Sequence, residues 1–188
     1  MRVKGKMKSF YQDNKGPFYL SAIIFLASFF GSILYMDLVY TDDIELGSKL
    51  NTSNYIPAEG IVWYDIFFHN FFILIPIFIG VFTLGFVSFW YIFLQGNLLG
   101  SSIYFASQEL HLTQILKFTL FHGVFEFLAV IIAGTIAFKP IYIIFKHLFL
   151  KKGFFKKSDF RDAIILFFLF IIFLVVAALI EGFITVNL

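Results

Sequence analysis

Long apolar runs separated by short polar stretches dominate the chain. The runs cover roughly residues 17–39, 62–106, 112–138 and 163–185. A helix needs about 20 apolar residues to cross the hydrocarbon core of a bilayer, so the second run, about 45 residues long, has room for two crossings. The pattern predicts an all-α fold, a polytopic transmembrane helix bundle of about five spans that forms one domain over residues 1–188.

The middle of the second run leaves two interpretations open. Gly80 and Gly85 interrupt it, and Pro76 precedes them by one turn, which favours a tight helical hairpin. No lysine anchors that turn, so a re-entrant pair over 62–106 is the alternative. Non-helical backbone at membrane depth would then need protein or water around it.

The first run begins at Pro17, a residue that suits the first turn of a helix because it has no N–H to lose. A cleaved signal peptide is the alternative interpretation. The run is longer than the apolar part of a typical signal peptide and lacks a small-x-small cleavage site before Asp37. We therefore expect a retained first span.

The composition excludes an ordinary soluble domain. Hydrophobic residues make up 60% of the chain, charged residues only 14%, and the mean hydropathy is +0.90. A soluble domain carries nearer a quarter charged residues, because its exterior must be solvated. The lipid bilayer is therefore the first expected partner, and a multi-pass location in the cell membrane is the expected location.

Charge along the chain predicts the orientation. Residues 1–17 are basic and are expected to form a cytoplasmic tail, whereas 41–62 is expected to be an external acidic loop. Residues 139–162 are again rich in lysine, and 141–161 mixes these lysines with Phe, Ile and Leu, which predicts a cytoplasmic helix in the membrane interface after the fourth span. The order predicts an inside N-terminus and an outside C-terminus. The lysines flank apolar spans, which favours anionic lipid over nucleic acid as their partner.

A few polar side chains fall inside the predicted spans, where ionisable groups are costly and mark functional candidates. His122 and Glu126 are four residues apart on one face of the fourth span, and Glu181 has a similar small-residue face in the fifth. Asn70 lies in the second span. Three interpretations stay open for His122, Glu126 and Glu181: a structural hydrogen-bonded cluster, a metal site, or a site that handles protons or substrate.

Other motifs are few. Gly96 and Gly100 form a G-x-x-x-G in the third span, a spacing that permits close approach of a neighbouring helix. The sequence has no nucleotide-binding loop and no Ser/His/Asp order, so we expect no cofactor and have no support for soluble-type catalysis. Cysteine is absent, and disulfides do not enter the interpretation.

Four blocks in order carry a family resemblance. They are H-N at 69–70, Q-G-N-L-L-G at 95–100, F-H-G-V-F-E-F-L-A-V-I-I-A-G at 121–134, and A-A-L-I-E-G-F-I-T at 177–185. The combination resembles the stage II sporulation protein M family, with Phe121 where that family usually has Pro and Gln95 where it usually has Asn. The positions carried over are Asn70, Gly96, Gly100, His122, Gly123, Glu126, Gly134 and Glu181. The resemblance implies that its glycines are helix-packing positions.

The resemblance implies a multi-pass membrane protein without an established enzymatic activity. Sporulation members of the family resemble scaffolds for peptidoglycan-degrading partners, and others occur with circular bacteriocin genes, in maturation, export or self-protection. The intact H-G-x-x-E block and the short external loop favour the second branch. We therefore expect an accessory scaffold or transport subunit with a membrane protein partner, either a transporter or an envelope hydrolase. A peptide cargo and a homodimer through small-residue faces are further expectations.

Three other function classes stay open at this point. One is a proton- or ion-coupled transporter or channel that uses His122, Glu126 and Glu181. Another is an intramembrane metalloenzyme with the same three residues as weak metal ligands. A third is a scaffold for peptidoglycan-degrading enzymes in engulfment.

Overall fold

The computed structural model describes residues 2–40, 62–109, 111–115, 121–151 and 153–183. The regular elements in these ranges are all helical, which confirms the all-α prediction. Most of the predicted external loop at 41–62 lies outside the described residues. In chain order the helices are α1 Arg2–Tyr40, α2 Trp63–Leu74, a 3-10 helix Ile75–Val81, α3 Phe86–Glu109, α4 Leu112–Ile115, α5 Phe121–Leu150 and α6 Lys157–Phe183.

Helix α5 forms the centre of the bundle. Its residues 129–139 are all buried, because α1, α6 and the 3-10 helix pack around it. In the spans formed by α1, by α2 with the 3-10 helix, and by α6, fewer than a third of the residues are buried, and many large apolar side chains are exposed. Such exposure would be costly in water and is favourable in hydrocarbon, so the burial pattern agrees with a lipid surround.

Contacts between helices define their relative directions, and α1 runs parallel to α3. The Ser28 hydroxyl donates to the Phe93 carbonyl oxygen at 2.5 Å, and further along both helices Ser32 donates to the Asn97 carbonyl at 3.0 Å. Both partners advance together along the chain. The two helices therefore cross the bundle in the same sense.

Helix α5 runs antiparallel to both α1 and α6. Phe25 of α1 packs on Phe127 near the start of α5, with ring centroids 4.7 Å apart, whereas Asn14 bonds Lys139 further along α5. Helix α2 is likewise antiparallel to α6. Thus α1, α3 and α6 point one way, and α2 and α5 point the other. This alternation is what five successive crossings require.

Four helical segments are long and apolar enough to cross a membrane: Ser9–Tyr40, Trp63–Val81, Phe121–Leu150 and Lys157–Phe183. Helix α3 has 24 residues, but polar side chains such as Gln95 and Asn97 make it less apolar. The count of five crossings, with the N-terminus inside and the C-terminus outside, stays a prediction.

The turn between the second and third predicted spans is a hairpin. The 3-10 helix Ile75–Val81 has Pro76 in its first turn, and residues 82–85 form the turn into α3. Gly85 has a φ of +85°, which a glycine adopts without strain, and its N–H donates to the Gly80 carbonyl at 2.7 Å. The predicted turn at Gly80–Gly85 is therefore present, whereas the choice between two full spans and a re-entrant pair over 62–106 stays open.

Two predicted helix boundaries were wrong. Pro17 does not start the first helix but is buried inside α1, so most of the predicted tail at 1–17 is helical. The fourth span, predicted to end at 138, does not end there, since α5 continues through Pro140 to Leu150. An internal proline loses one helix hydrogen bond, which packing in a long helix can offset. Residues 141–161 consequently form the end of α5, a link and the start of α6, and a separate interfacial helix is absent from their described part.

Candidate functional site

Three helices bring the predicted polar residues together. The Asn70 amide on α2 donates from Nδ2 to Oε1 of Glu126 on α5. Glu181, near the end of α6, lies close enough for its charge to act on both Glu126 and His122. We refer to His122, Glu126, Glu181 and Asn70 as the polar cluster.

His122 is the member of the polar cluster with an unmet hydrogen-bonding capacity. Its Nδ1 is buried and has no hydrogen-bond partner in the described part of the chain. A buried nitrogen of this kind costs free energy unless it is satisfied. The ring is therefore placed to bond an additional group, such as water or a polar ligand atom.

Small residues let α5 and α6 approach each other beside the polar cluster. Ala129 and Ala133 on α5 and Ala177 and Ala178 on α6 are fully buried. The two small faces predicted from the sequence do lie inside the bundle. They place Glu126 and Glu181 on neighbouring helices.

A cavity of ≈ 230 Å³ adjoins the polar cluster. Its polar wall consists of Gln95, Ser102 and Glu126, and Gly123 also lines it. Gly123 thus borders a cavity, which is a different position from the helix contact that the resemblance implied. Glu126 accepts the hydrogen bond from Asn70 and also lines this cavity, so its carboxyl group can hydrogen-bond a small polar ligand.

The geometry does not favour a metal centre. Among the residues that the structure describes, no group of three or more His, Cys, Asp or Glu side chains is placed to hold a metal ion. The Asn70 amide is instead hydrogen-bonded to Glu126 across helices, as is usual for polar groups inside a bundle. The metal interpretation of His122, Glu126 and Glu181 therefore has no geometric support within the described ranges.

The glycines of the G-x-x-x-G motif allow α3 to touch the backbone of α1. A Cβ on Gly96 would lie 2.6 Å from the Phe25 carbonyl oxygen, and a Cβ on Gly100 would collide with the Phe29 carbonyl. A Cβ on Gly134 of α5 would lie 2.5 Å from Oγ of Ser21. These three glycines have the packing role predicted for them.

A second polar site lies at the opposite end of the bundle. The Lys139 ammonium donates to Oδ1 of Asn14 at 2.9 Å and forms ion pairs with Asp159 at 3.4 Å and Asp162 at 3.6 Å. Arg161 pairs with Asp162 at 3.0 Å. We refer to Asn14, Lys139, Asp159 and Asp162 as the ion network. It ties α1, α5 and α6 together.

The ion network was not predicted from the sequence. Lys139, Asp159 and Asp162 fell within the basic cytoplasmic stretch 139–162, whereas Lys139 and Asp162 are buried. Two features could have revealed it. Lys139 immediately follows an unbroken apolar run, and Asp159 and Asp162 are three residues apart, so they share a helix face.

A packed apolar layer separates the two polar sites. Glu126 and Lys139 are 13 residues apart on α5, which corresponds to about 20 Å along a helix. The buried side chains between them are mostly apolar. The buried hydroxyls of Ser21, Ser88 and Thr135 donate to backbone carbonyl oxygens. The described residues therefore show no polar path from one site to the other.

The fold and these two sites define an α-helical membrane protein whose polar groups lie near the two ends of an apolar bundle. The chain belongs to the stage II sporulation protein M family, since the family model for Stage II sporulation protein M matches residues 18–186. The resemblance read from the four sequence blocks is thereby confirmed. No curated protein and no solved structure matches the chain.

Proposed function

We propose that the chain is a multi-pass accessory protein of the cell membrane, a scaffold or transport subunit for envelope-related work or for export, maturation or self-protection of a bacteriocin-type peptide. The observation that carries this proposal is the apolar layer between the polar cluster and the ion network. A protein that moves ions or solutes alone needs a polar route through its helices. The apolar layer therefore favours a protein that acts together with a partner.

The polar cluster has a clear role under this proposal. The Asn70–Glu126 hydrogen bond joins α2 to α5 at one end, and the ion network joins α1, α5 and α6 at the other. The cavity beside Glu126 remains open to a polar group from cargo or from a partner helix. Hydrogen bonds across helices contribute modestly, about 1 kcal/mol each, so such a contact can be reversible.

Affinity purification from membranes tests the proposal. Cells that express the tagged chain at its native level are cross-linked before solubilisation, and an unrelated tagged polytopic protein serves as the control. We expect near-stoichiometric recovery of an ATPase, an envelope hydrolase or a peptide. A hydrolase would favour the engulfment scaffold, and a peptide or an ATPase would favour export. Recovery of the chain alone would count heavily against an accessory role.

A proton- or ion-coupled transporter is the second candidate, and the cavity beside Glu126 favours it. Reconstituted liposomes with an internal pH dye distinguish the two functions. A transporter would dissipate a pH gradient faster than empty liposomes, and Glu126→Gln would abolish that activity while the protein stays folded. An accessory protein would leave the gradient unchanged with either chain.

A further inference from the structure

A second cavity lies at the end of the bundle that carries the ion network. Its volume is ≈ 240 Å³, and it sits between residues 136–143 of α5, residues 155–156 of the link that follows α5 and the first turns of α6, with Val81 at the end of the 3-10 helix also in its wall. Most of its wall is apolar. The apolar lining includes Ile136, Pro140, Ile143, Phe155, Phe160 and Ala163.

The polar wall of this cavity is basic on its outer side. Lys139 and Asp159 both line it and form an ion pair with each other, and Asp162 is the second ion-pair partner of Lys139 in the ion network. Lys156 lines it as well, and its side chain is exposed. Lys151 and Lys157 flank the same link and are also exposed.

An apolar wall with lysines at its outer side is suited to an amphiphilic ligand. Water alone does not fill an apolar cavity well, because it needs two or more polar partners there. A free anion would use the lysines and leave the apolar wall exposed. An anionic phospholipid satisfies both parts, since its acyl chain covers apolar surface and its phosphate meets the ammonium groups.

We propose that this cavity binds one anionic phospholipid. An acyl chain lies against Ile143, Phe155 and Ala163, and the phosphate group lies at Lys156. Basic pockets between membrane helices on the cytoplasmic side are suited to such headgroups. The predicted orientation places this end of the bundle at the cytoplasmic leaflet, where anionic lipids are available. The site is separate from the polar cluster and does not depend on the proposed accessory role.

Native mass spectrometry of the full chain tests the site. The protein is released from micelles that contain equal amounts of phosphatidylglycerol and phosphatidylcholine, and the retained lipid is counted. We expect one phosphatidylglycerol per chain, retained at least fivefold over phosphatidylcholine. Equal retention of the two lipids would overturn the proposal, and so would displacement of phosphatidylglycerol by millimolar inorganic phosphate, which would indicate a free-anion site.

Two variants locate the lipid. Lys156→Gln should lower phosphatidylglycerol retention about fivefold, the order of effect that one lysine has near an anionic surface. Ala163→Phe should fill the cavity and lower retention of the lipid further. Ile165→Phe is the matched control, because it adds the same ring to an exposed face of α6. If Lys156→Gln retains the lipid like the unmodified chain, the proposed site is wrong, whether or not Ala163→Phe folds.

Discussion

At the scale of single residues, the Glu126 side chain contacts both the Asn70 amide and a cavity. It accepts a hydrogen bond from Asn70 and borders a cavity that it shares with Gln95. A glutamine at this position keeps an oxygen for Asn70, whereas a leucine leaves the Asn70 amide without its acceptor. The chemistry of the side chain can therefore be separated from its packing.

Glu126→Gln should leave the thermal midpoint in detergent close to that of the unmodified chain. Glu126→Leu should lower the free energy of unfolding by about 1 kcal/mol, because the half-buried Asn70 amide loses its partner. Tryptophan fluorescence during heating measures both. Equal destabilisation by the two variants would show instead that the bundle requires the ionised carboxylate.

Lys139→Met should be the most damaging of the substitutions proposed for the bundle. Without the ammonium group, Asp159 and Asp162 would face each other near buried surface, and removal of one partner of a buried ion pair costs about 3 kcal/mol or more. Lys157→Met is the control at an exposed position of the same end. Thermal unfolding and abundance in the membrane are the measurements. A Lys139→Met protein as stable as the control would contradict the structural role of the ion network.

At the scale of helices, α1 and α3 come into close backbone contact at the G-x-x-x-G motif. Gly96 and Gly100 lie on the face of α3 that touches α1, and serine hydroxyls of α1 donate to carbonyl oxygens of α3. Small residues and interhelical hydrogen bonds are the usual means by which helices associate in lipid.

Gly96→Ala should separate α1 from α3, because the added methyl group would lie 2.6 Å from the Phe25 carbonyl oxygen and 3.0 Å from the Ser28 Cβ. Overpacking of this kind costs about 1–3 kcal/mol. Gly31→Ala is a matched control within α1, since nothing lies within 4 Å of its added methyl group. Unfolding in detergent should show a loss for Gly96→Ala alone. Equal behaviour of the two variants would argue against a close contact.

The helices show what the sequence could predict and what it could not. Apolar length predicted the helices, and Gly80 and Gly85 predicted the hairpin, because both patterns act locally. Pro17 misled because proline marks helix ends only where neighbouring packing does not offset the lost hydrogen bond, and Pro140 inside α5 shows the same. Tertiary packing decides that.

The polar cluster and the ion network also differ in how far the sequence could predict them. The polar cluster could be predicted because His122, Glu126 and Glu181 stand out inside apolar spans. The ion network could not, because Lys139 lies beside a lysine-rich stretch and looks solvated in a one-dimensional pattern. Its partner Asn14 is more than a hundred residues away in the chain. Only the folded arrangement brings them into contact.

At the scale of the whole molecule, the alternating directions of the helices connect the function to the membrane. If α1 leaves the cytoplasm, the ion network and the lipid cavity lie at the cytoplasmic side and the polar cluster lies toward the outside. The basic and acidic stretches of the sequence agree with this orientation. The proposed function and the proposed lipid site both assume this orientation.

Accessibility of single cysteines in intact cells tests this arrangement most directly. The chain has no native cysteine, so each introduced cysteine is the only thiol that can be labelled. Ser48→Cys and Gln108→Cys should react with a membrane-impermeant maleimide from outside. Thr83→Cys and Gly153→Cys should react only after the membrane is permeabilised. Labelling of Thr83→Cys or Gly153→Cys in intact cells, with Gln108→Cys protected, would contradict five alternating crossings with the N-terminus inside.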